Sequence, residues 1–420
     1  MLSVEAALDK VLAMFHPLEP ESMPVLGALG RVLSEDIIAK GNIPPHANTA
    51  MDGYALLASD LVGASPATPK RLRVIANLAA GYVASERVTP GTAIRIMTGA
   101  PLPAGADTVI PFEETHLDGD CVECFAQMPL GANVRQAGED VREGERTLLR
   151  GARIRPQELG MLAALGYSQV PVIRQPRVAI LATGDEVVDI DAPLLPGQIR
   201  NANSYSHAAQ VLALGGTPLL LGIAHDTIDD LTARIRSGLA QGADLLLTSG
   251  GVSVGDFDVV KKVLASEGEI TFWRVRMKPG KPLAFGTITA ELGGVPHTVP
   301  VLGMPGNPVS AMVSFELFAR PAILTMLGRT DLRRPTVEAI LDQAVPRKDD
   351  RRHYLRVRLV RRADGFHAEL TGDQGSGILN SMVQSNALAI LPEDWTSAPA
   401  GARVAVIPFE PETLLQEGTS

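Results

Sequence analysis

The sequence predicts a multidomain protein of the α/β plus β class, with a mostly parallel sheet in its central third. Three observations carry this. Between residues 176 and 327, apolar runs of strand length alternate with segments of helical apolar spacing, the pattern of a sheet covered by helices. From 51 to 140, and again from 330 to 410, short apolar runs alternate with turn residues and predict β-rich regions on either side. A chain of 420 residues with 45% hydrophobic content has material for about three packed cores.

The elements follow in order. Val4, Leu8, Val11, Leu12 and Phe15 share one helical face, and Pro17 ends that helix; a second short element is expected at 32–38. Asn42-Ile43-Pro44-Pro45-His46 breaks the pattern, and β-like runs follow at 72–75, 93–97 and 108–110. A helix at 155–165 stops at Gly166. Strands are then predicted at 178–182, 219–223, 245–247 and 299–302, and helices at 204–214 (ended by Gly215), 228–239 and 309–327. Further on, 354–360 and 366–370 flank Ala363-Asp364-Gly365, and the Asp-Gly pair predicts a hairpin. The acidic tail past Glu410 is expected to fray.

A net charge of −9 excludes a general nucleic-acid binder, which needs basic surface to displace counterions. The first residues carry early acidic groups and no basic segment before an apolar core, so no secretory signal is read there. No later stretch reads as long and apolar enough to cross a bilayer, so neither nucleic acid nor membrane is an expected partner. The two cysteines, Cys121 and Cys124, read as reduced thiols of a cytoplasmic protein.

In open parallel sheets, ligands bind beyond the carboxyl ends of the strands, so residues after each strand can converge on one crevice. Here those residues are Thr183-Gly184-Asp185-Glu186, His225-Asp226, a loop from Thr248 to Asp258, and Gly303 through Ser310. In the third loop, Ser249, Gly250, Gly251, Ser253 and Gly255 are small enough for backbone N–H groups to approach an anion, and Asp256 and Asp258 stand at a helix entrance. Lys278-Pro279-Gly280-Lys281-Pro282 adds two lysines on a stiff turn, suited to an oxyanion. Asp185, Glu186, Asp226, Asp256 and Asp258 facing these lysines predict a divalent cation bridged to a phosphorylated ligand. Each piece also has a plain structural use: Thr183 to Glu186 as a helix cap, Asp226 as the N-cap of the helix at 228, Pro305 and Pro308 as loop stiffeners.

Read together, Met51-Asp52-Gly53-Tyr54-Ala55, Met97-Thr98-Gly99-Ala100-Pro101, Gly105 to Val109, Gly138-Glu139-Asp140, Thr183 to Glu186, Ser249 to Gly255, Lys278 to Pro282 and Pro305-Gly306-Asn307-Pro308 form an ordered set. This set resembles the molybdopterin molybdenumtransferase family, which includes the gephyrin E domain, from near residue 1 to about 410. The resemblance implies an L-shaped homodimer of four-domain subunits. These are an elongated domain (1–43 and 141–175), an inserted β-rich domain (44–140), a molybdopterin-binding α/β domain (176–329) and a C-terminal β-barrel-like domain (330–410).

The implied reaction takes adenylylated molybdopterin and molybdate as substrates, uses Mg²⁺, and releases AMP. Asp185, Glu186, Asp226 and Asp258 would handle metal and phosphate, with Asp256 less central, while Asp52, Thr98 and Asp140 would act from the partner subunit. Thr183, Gly184 and the small residues from Ser249 to Gly255 would face the substrate. Lys278, Lys281, Pro305, Asn307, Pro308 and Ser310 would line the pterin and molybdate pocket, joined by Arg356 and Ser385. A molybdopterin adenylyltransferase and molybdoenzyme apoproteins or their chaperones are the implied partners. The competing readings are that adenylyltransferase itself and a non-catalytic gephyrin-like scaffold.

Overall fold

The computed structural model describes residues 1–250, 263, 268–292, 295–347 and 349–410. The tail from 411, expected to fray, lies outside the described residues, as does the 251–258 part of the Gly-rich loop. The chain forms two compact units: Met1–Glu21, Gly30–Ser34 and Val172–Ser420 make the first, Ser22–Leu29 and Glu35–Pro171 the second.

The first unit is built on a six-stranded sheet in the order Thr217–Ala224, Arg177–Thr183, Leu245–Ser249, Val295–Met304, Pro282–Leu292, Gly268–Arg274. The first four strands are parallel neighbours. Arg177–Thr183 is buried at every position after Arg177, as an apolar run covered on both faces should be. Its side chains divide by parity. Val178 and Ile180 pack with Leu245, Leu247 and the Ala208 and Val211 side of Ala202–Leu214, whereas Ala179 and Leu181 pack with Leu246 and with Leu231, Ile235 and Leu239 of Ile228–Ala240. The crossover helices thus cover opposite faces. The first is capped by Asn201, whose side chain accepts from Ser204 N, and ends at Gly215 with φ +89.

The strand expected at 299–302 proves to be the end of a long antiparallel hairpin, Pro282–Leu292 with Val295–Met304, to which Gly268–Arg274 adds antiparallel. The sheet is therefore mixed at one end. The outer strand is half-buried, with Ile270 and Phe272 alternating against the exposed Glu269 and Thr271, and is a strand beyond those expected.

The expected long helix is an α-helix, Pro308–Ser314, then a π segment, Phe315–Ala319, then a second α-helix, Arg320–Met326. One expectation is corrected here. These 19 residues are long and apolar enough to cross a membrane, but 78% of the stretch is buried inside the protein, where it fills the larger core.

The C-terminal strands form a second sheet in the order Met277–Lys278, Arg352–Arg362, Gly365–Leu370, Val337–Leu341, Arg403–Pro408, Ala387–Leu391. Arg352–Arg362 also pairs with Ala387–Leu391, so five strands close on themselves in a barrel around Leu355, Val357, Leu359, Ala389 and Val406. The predicted hairpin is present, shifted by one residue: Arg362 pairs with Gly365, leaving Ala363-Asp364 as its loop. Met277–Lys278 runs parallel to Arg352-His353, so the barrel wall holds the backbone of one predicted substrate lysine.

The second unit carries a six-stranded sheet in the order Thr108–Pro111, Gly53–Leu56, Thr92–Ile96, Lys70–Leu78, Cys121–Cys124, Thr115–Asp118. Pro156–Ala164 supplies its helix, with Glu158 pairing back to Arg155 at the start. The element expected at 32–38 reduces to Ile37–Ile38, paired with Arg146–Leu148. Both cysteines are free, and burial pushes the Cys124 thiol up to about 12.

Candidate functional site at the carboxyl edge of the parallel sheet

Register brings the strand ends together. Thr183 pairs with Ala224, Ala182 with Ser249, and Ser249 with Met304, so the segments beginning at 184, 225, 250 and 305 leave one edge of the sheet. Thr183 is buried and its Oγ1 donates to Ser249 O over 3.3 Å. Two glycines permit this closeness. Gly184, at φ +126, would carry a Cβ 2.6 Å from Glu186 Oε2, and Gly250, at φ +95, one 2.9 Å from Thr183 Oγ1. At these positive φ angles a side chain would be strained at either place, and at Gly250 it would also crowd the Thr183 carbonyl. The Gly250 N–H, expected to face an anion, donates instead to Met304 O at 3.1 Å. Gly251, Ser253, Gly255, Asp256 and Asp258 lie outside the described residues.

Three predicted carboxylates are gathered. The Asp226 N–H donates to Asp185 Oδ1 at 3.2 Å, and His225 Nδ1 stands 3.5 Å from the same oxygen. The Asp226 carboxyl is pushed above its ordinary range, first by burial and then by the charges of Asp185 and Glu186, with His225 opposing. The capping alternatives are answered as well. The helix at Ile228 is capped by the Thr227 hydroxyl, and Asp230 accepts from His225 N at 2.8 Å, so Asp226 is not its cap. Thr183 to Glu186 lead into the short strand Val187–Val188, not into a helix.

Carboxylate oxygens suit a hard divalent cation, and a cation would relieve the repulsion that raises Asp226. Among the described residues, no group of three His, Cys, Asp or Glu side chains is already set around a single metal position. Asp185, Glu186 and Asp226 are oxygen donors of the kind a hard cation takes, but as placed they do not surround one metal position.

Pro305 and Ser310 are buried, and Pro308 opens the helix Pro308–Ser314. Asn307 Nδ2 donates to Ser376 Oγ at 2.9 Å, while Val309 N donates to Ser376 O at 3.1 Å. Ser376 was not anticipated; it lies on a polar loop with no apolar pattern to mark it. Behind it stands Arg356, almost fully buried. Its Nε donates to Ser381 Oγ at 3.0 Å and its Nη2 to Gly375 O at 2.9 Å and Asp373 O at 3.3 Å, and burial pushes it down to about 10. Its Nε and Nη2 are thus engaged by Ser381 and the 373–375 loop, because a buried guanidinium needs acceptors. Ser385, just past the helix Leu379–Val383, donates its Oγ to Met382 O at 2.8 Å. From this region Ser376 meets the segment after Val295–Met304, through Asn307 and Val309.

Lys278 is exposed, with Nζ 3.9 Å from Asp349 Oδ2. Asp349 itself is held well below the usual carboxylate range, chiefly by Arg351 and then by His353. Lys281 is half-buried, and its carbonyl accepts from Val275 N at 2.8 Å. A further residue not anticipated is Asn203, in the first turn of Ala202–Leu214. Its Nδ2 donates to Ser249 Oγ and to Gly306 O, each at 2.7 Å.

In the second unit, Asp52 Oδ1 accepts from both Thr98 N at 2.7 Å and Thr98 Oγ1 at 2.6 Å. These bonds hold the exposed Asp52 carboxyl below its ordinary range. Asp140 is exposed, and its N–H donates to Ile43 O at 3.0 Å.

Comparison with known proteins agrees with this arrangement along the chain. Residues 2–166 match the MoeA N-terminal region (domain I and II), 179–325 a probable molybdopterin binding domain, and 338–409 the MoeA C-terminal region (domain IV). Molybdopterin molybdenumtransferase 2 of Mycobacterium tuberculosis is 36% identical over 97% of this chain and 99% of its own length. The molybdopterin molybdenumtransferase of Haemophilus influenzae is 35% identical, also over 97% and 99%. The crystal structure of a molybdopterin biosynthesis moeA protein from Pyrococcus horikoshii OT3 superposes with a TM-score of 0.81 at 31% identity, covering 97% of this chain and 100% of that one. Strand-end loops, a closed C-terminal barrel and matches spanning all three regions place the chain in the molybdopterin molybdenumtransferase family, enzymes of molybdenum cofactor biosynthesis.

Proposed function

We propose that the strand-end site binds adenylylated molybdopterin and molybdate and transfers molybdenum to the pterin dithiolene with release of AMP. The observation that carries this is the crowding of Asp185, Glu186 and Asp226 at the sheet edge, which leaves Asp226 charged only at a cost. Such a site is suited to a cation-bound anhydride. Asp185, Glu186 and Asp226 would hold Mg²⁺, which when bound would neutralise charge on the phosphates. Lys278 and Lys281 would draw the oxyanions, and Ser249, Asn307 and Ser310 would orient them. A molybdate oxygen attacks the adenylyl phosphorus in line as its P–O bond to the pterin phosphate breaks. The substrate's two sulfurs then bond to molybdenum as the Mo–O bond to AMP breaks, the thiol protons passing to AMP and solvent. With water as the nucleophile AMP leaves at once, and the sulfurs displace a molybdate oxygen as water. No protein thiol is needed.

The resemblance further supports a homodimer in which Asp52, Thr98 and Asp140 of one subunit complete the other's site, and the division into four domains. Free Cys121 and Cys124 favour a reducing, cytoplasmic setting. A molybdopterin adenylyltransferase would supply the substrate, and molybdoenzyme apoproteins or their chaperones would receive the product. The test is AMP release from adenylylated molybdopterin with Mg²⁺, comparing molybdate, tungstate and no oxyanion. Oxyanion-dependent release is expected; binding without release would leave a carrier or scaffold.

A further inference from the structure

We propose that Asn203 is a positioning residue: it ties two ligand-facing loops together and keeps the Ser249 hydroxyl proton available for an oxyanion of the substrate. The proposal rests on the transferase reading of this same site. Gly306 O can only accept, so the Asn203 amide must present Nδ2 to it, and the second Nδ2 hydrogen meets Ser249 Oγ. Ser249 Oγ is then an acceptor toward Asn203. A hydroxyl has one proton, and this one is left to point at another acceptor.

The rest of the geometry is consistent with a clamp. Thr183 Oγ1 secures the Ser249 carbonyl from the neighbouring strand. A Cβ on Gly306 would lie 3.7 Å from Gly250 Cα, so the two loops lie against each other where Asn203 joins them. Asn203 is itself fixed by the first helical turn, whose buried cap Asn201 accepts from Ser204 N at 3.1 Å. Three elements converge on one amide. Without it, the Ser249 loop and the Gly306 loop have one fewer tie, and the Ser249 hydroxyl is free to rotate.

Two measurements test this. The first needs no substrate: hydrogen exchange in the full chain should quicken in both 245–250 and 303–307 for Asn203→Ala, with Tm showing that the fold persists. The second is AMP release. Asn203→Ala should raise KM for adenylylated molybdopterin about tenfold with kcat within about twofold, the pattern of lost binding common to ground and transition states. Asn203→Asp should raise it further, since a carboxylate only accepts and would take the Ser249 proton. The double variant Asn203→Ala/Ser249→Ala should be no worse than Ser249→Ala alone. Unchanged exchange in either segment overturns the clamp, and an unchanged KM or effects that multiply in the double variant overturn the role through Ser249. A wild-type protein that releases no AMP would fail the transfer reading while exchange still judges the clamp.

Discussion

Asp226 and Asp52 are carboxylates treated in opposite ways by the two units. Asp226 is pushed up by burial and by its neighbours Asp185 and Glu186, while Asp52 is pulled down by two hydrogen bonds from Thr98. The difference teaches what each is ready to do. A carboxylate surrounded by like charge lacks a counter-ion and gains most when a cation arrives. One whose oxygen already accepts two bonds is a settled anion that holds a hydroxyl and an amide in place.

The largest expected effect comes from breaking the crowded side. Glu186→Ala should lower kcat/KM for molybdate-dependent AMP release on the order of a thousandfold, as loss of a charge-handling group at a phosphoryl site does. Circular dichroism and Tm should remain near wild type, and undiminished turnover would remove Glu186 from the chemistry. Asp52→Asn keeps an acceptor for Thr98 but removes the charge. A loss of roughly tenfold in kcat/KM is expected, and no loss would leave the Asp52 and Thr98 pair outside the reaction.

Titration sharpens the comparison further. Carboxyl NMR should place the Asp226 midpoint above that of Asp52 in metal-free protein. Asp185→Asn should bring the two closer, and Mg²⁺ should lower Asp226 but not Asp52. Equal midpoints would contradict the crowding.

The smallest effects are in stability, and their signs differ. Because the folded pKa of Asp226 is raised, its charged form disfavours the fold at neutral pH, and that penalty disappears as pH falls through the raised value. Asp226→Asn should stabilise the fold by less than about 1 kcal/mol and raise Tm slightly, because the carboxylate is only partly desolvated and solvent still screens the repulsion. Asp52 is the reverse. Its lowered pKa contributes stability above the unfolded value that is lost as pH falls through the folded one, so Asp52→Asn should lower Tm at neutral pH and not in acid. Thermal melts at neutral and acidic pH check both.

The strands and helices of the central sheet were legible because each buried element repeats one pattern long enough to count. Val178 to Ala182 is continuous apolar, and Gly215 marks a helix end through its positive φ. The loops carrying Asp185, Glu186 and Asp226 could be placed at one edge because parallel strands end together. Asn203 and Ser376 could not, since their meaning lies in partners 46 and 69 residues away in sequence, Ser249 and Asn307. Arg356 shows the other side of this limit: the family resemblance assigned it to the ligand pocket, but its burial and partners show the guanidinium holding Ser381 and the 373–375 loop. The hairpin ending at Met304 was half seen: Val299 to Leu302 is a continuous apolar run, whereas the half-buried outer strand Gly268–Arg274 carries its alternation over only a few residues.

The π segment at Phe315–Ala319 has a consequence for helical phase. Each residue of an α-helix advances the azimuth by about 100°, and one wide turn resets the angle between the turns on its two sides. The half that carries Ser310 is thereby aimed separately from the half that Ile323 and Met326 anchor in the core. Uniform α winding at the present length would turn Ser310 and the Asn307 end by roughly 100° relative to that anchor, whereas deleting a single residue between 315 and 319 would remove the wide turn and keep the two halves near their present azimuth. The wide turn thus lets one continuous rod satisfy two orientations, and its length in residues is as much a part of the sequence's information as the side chains it carries.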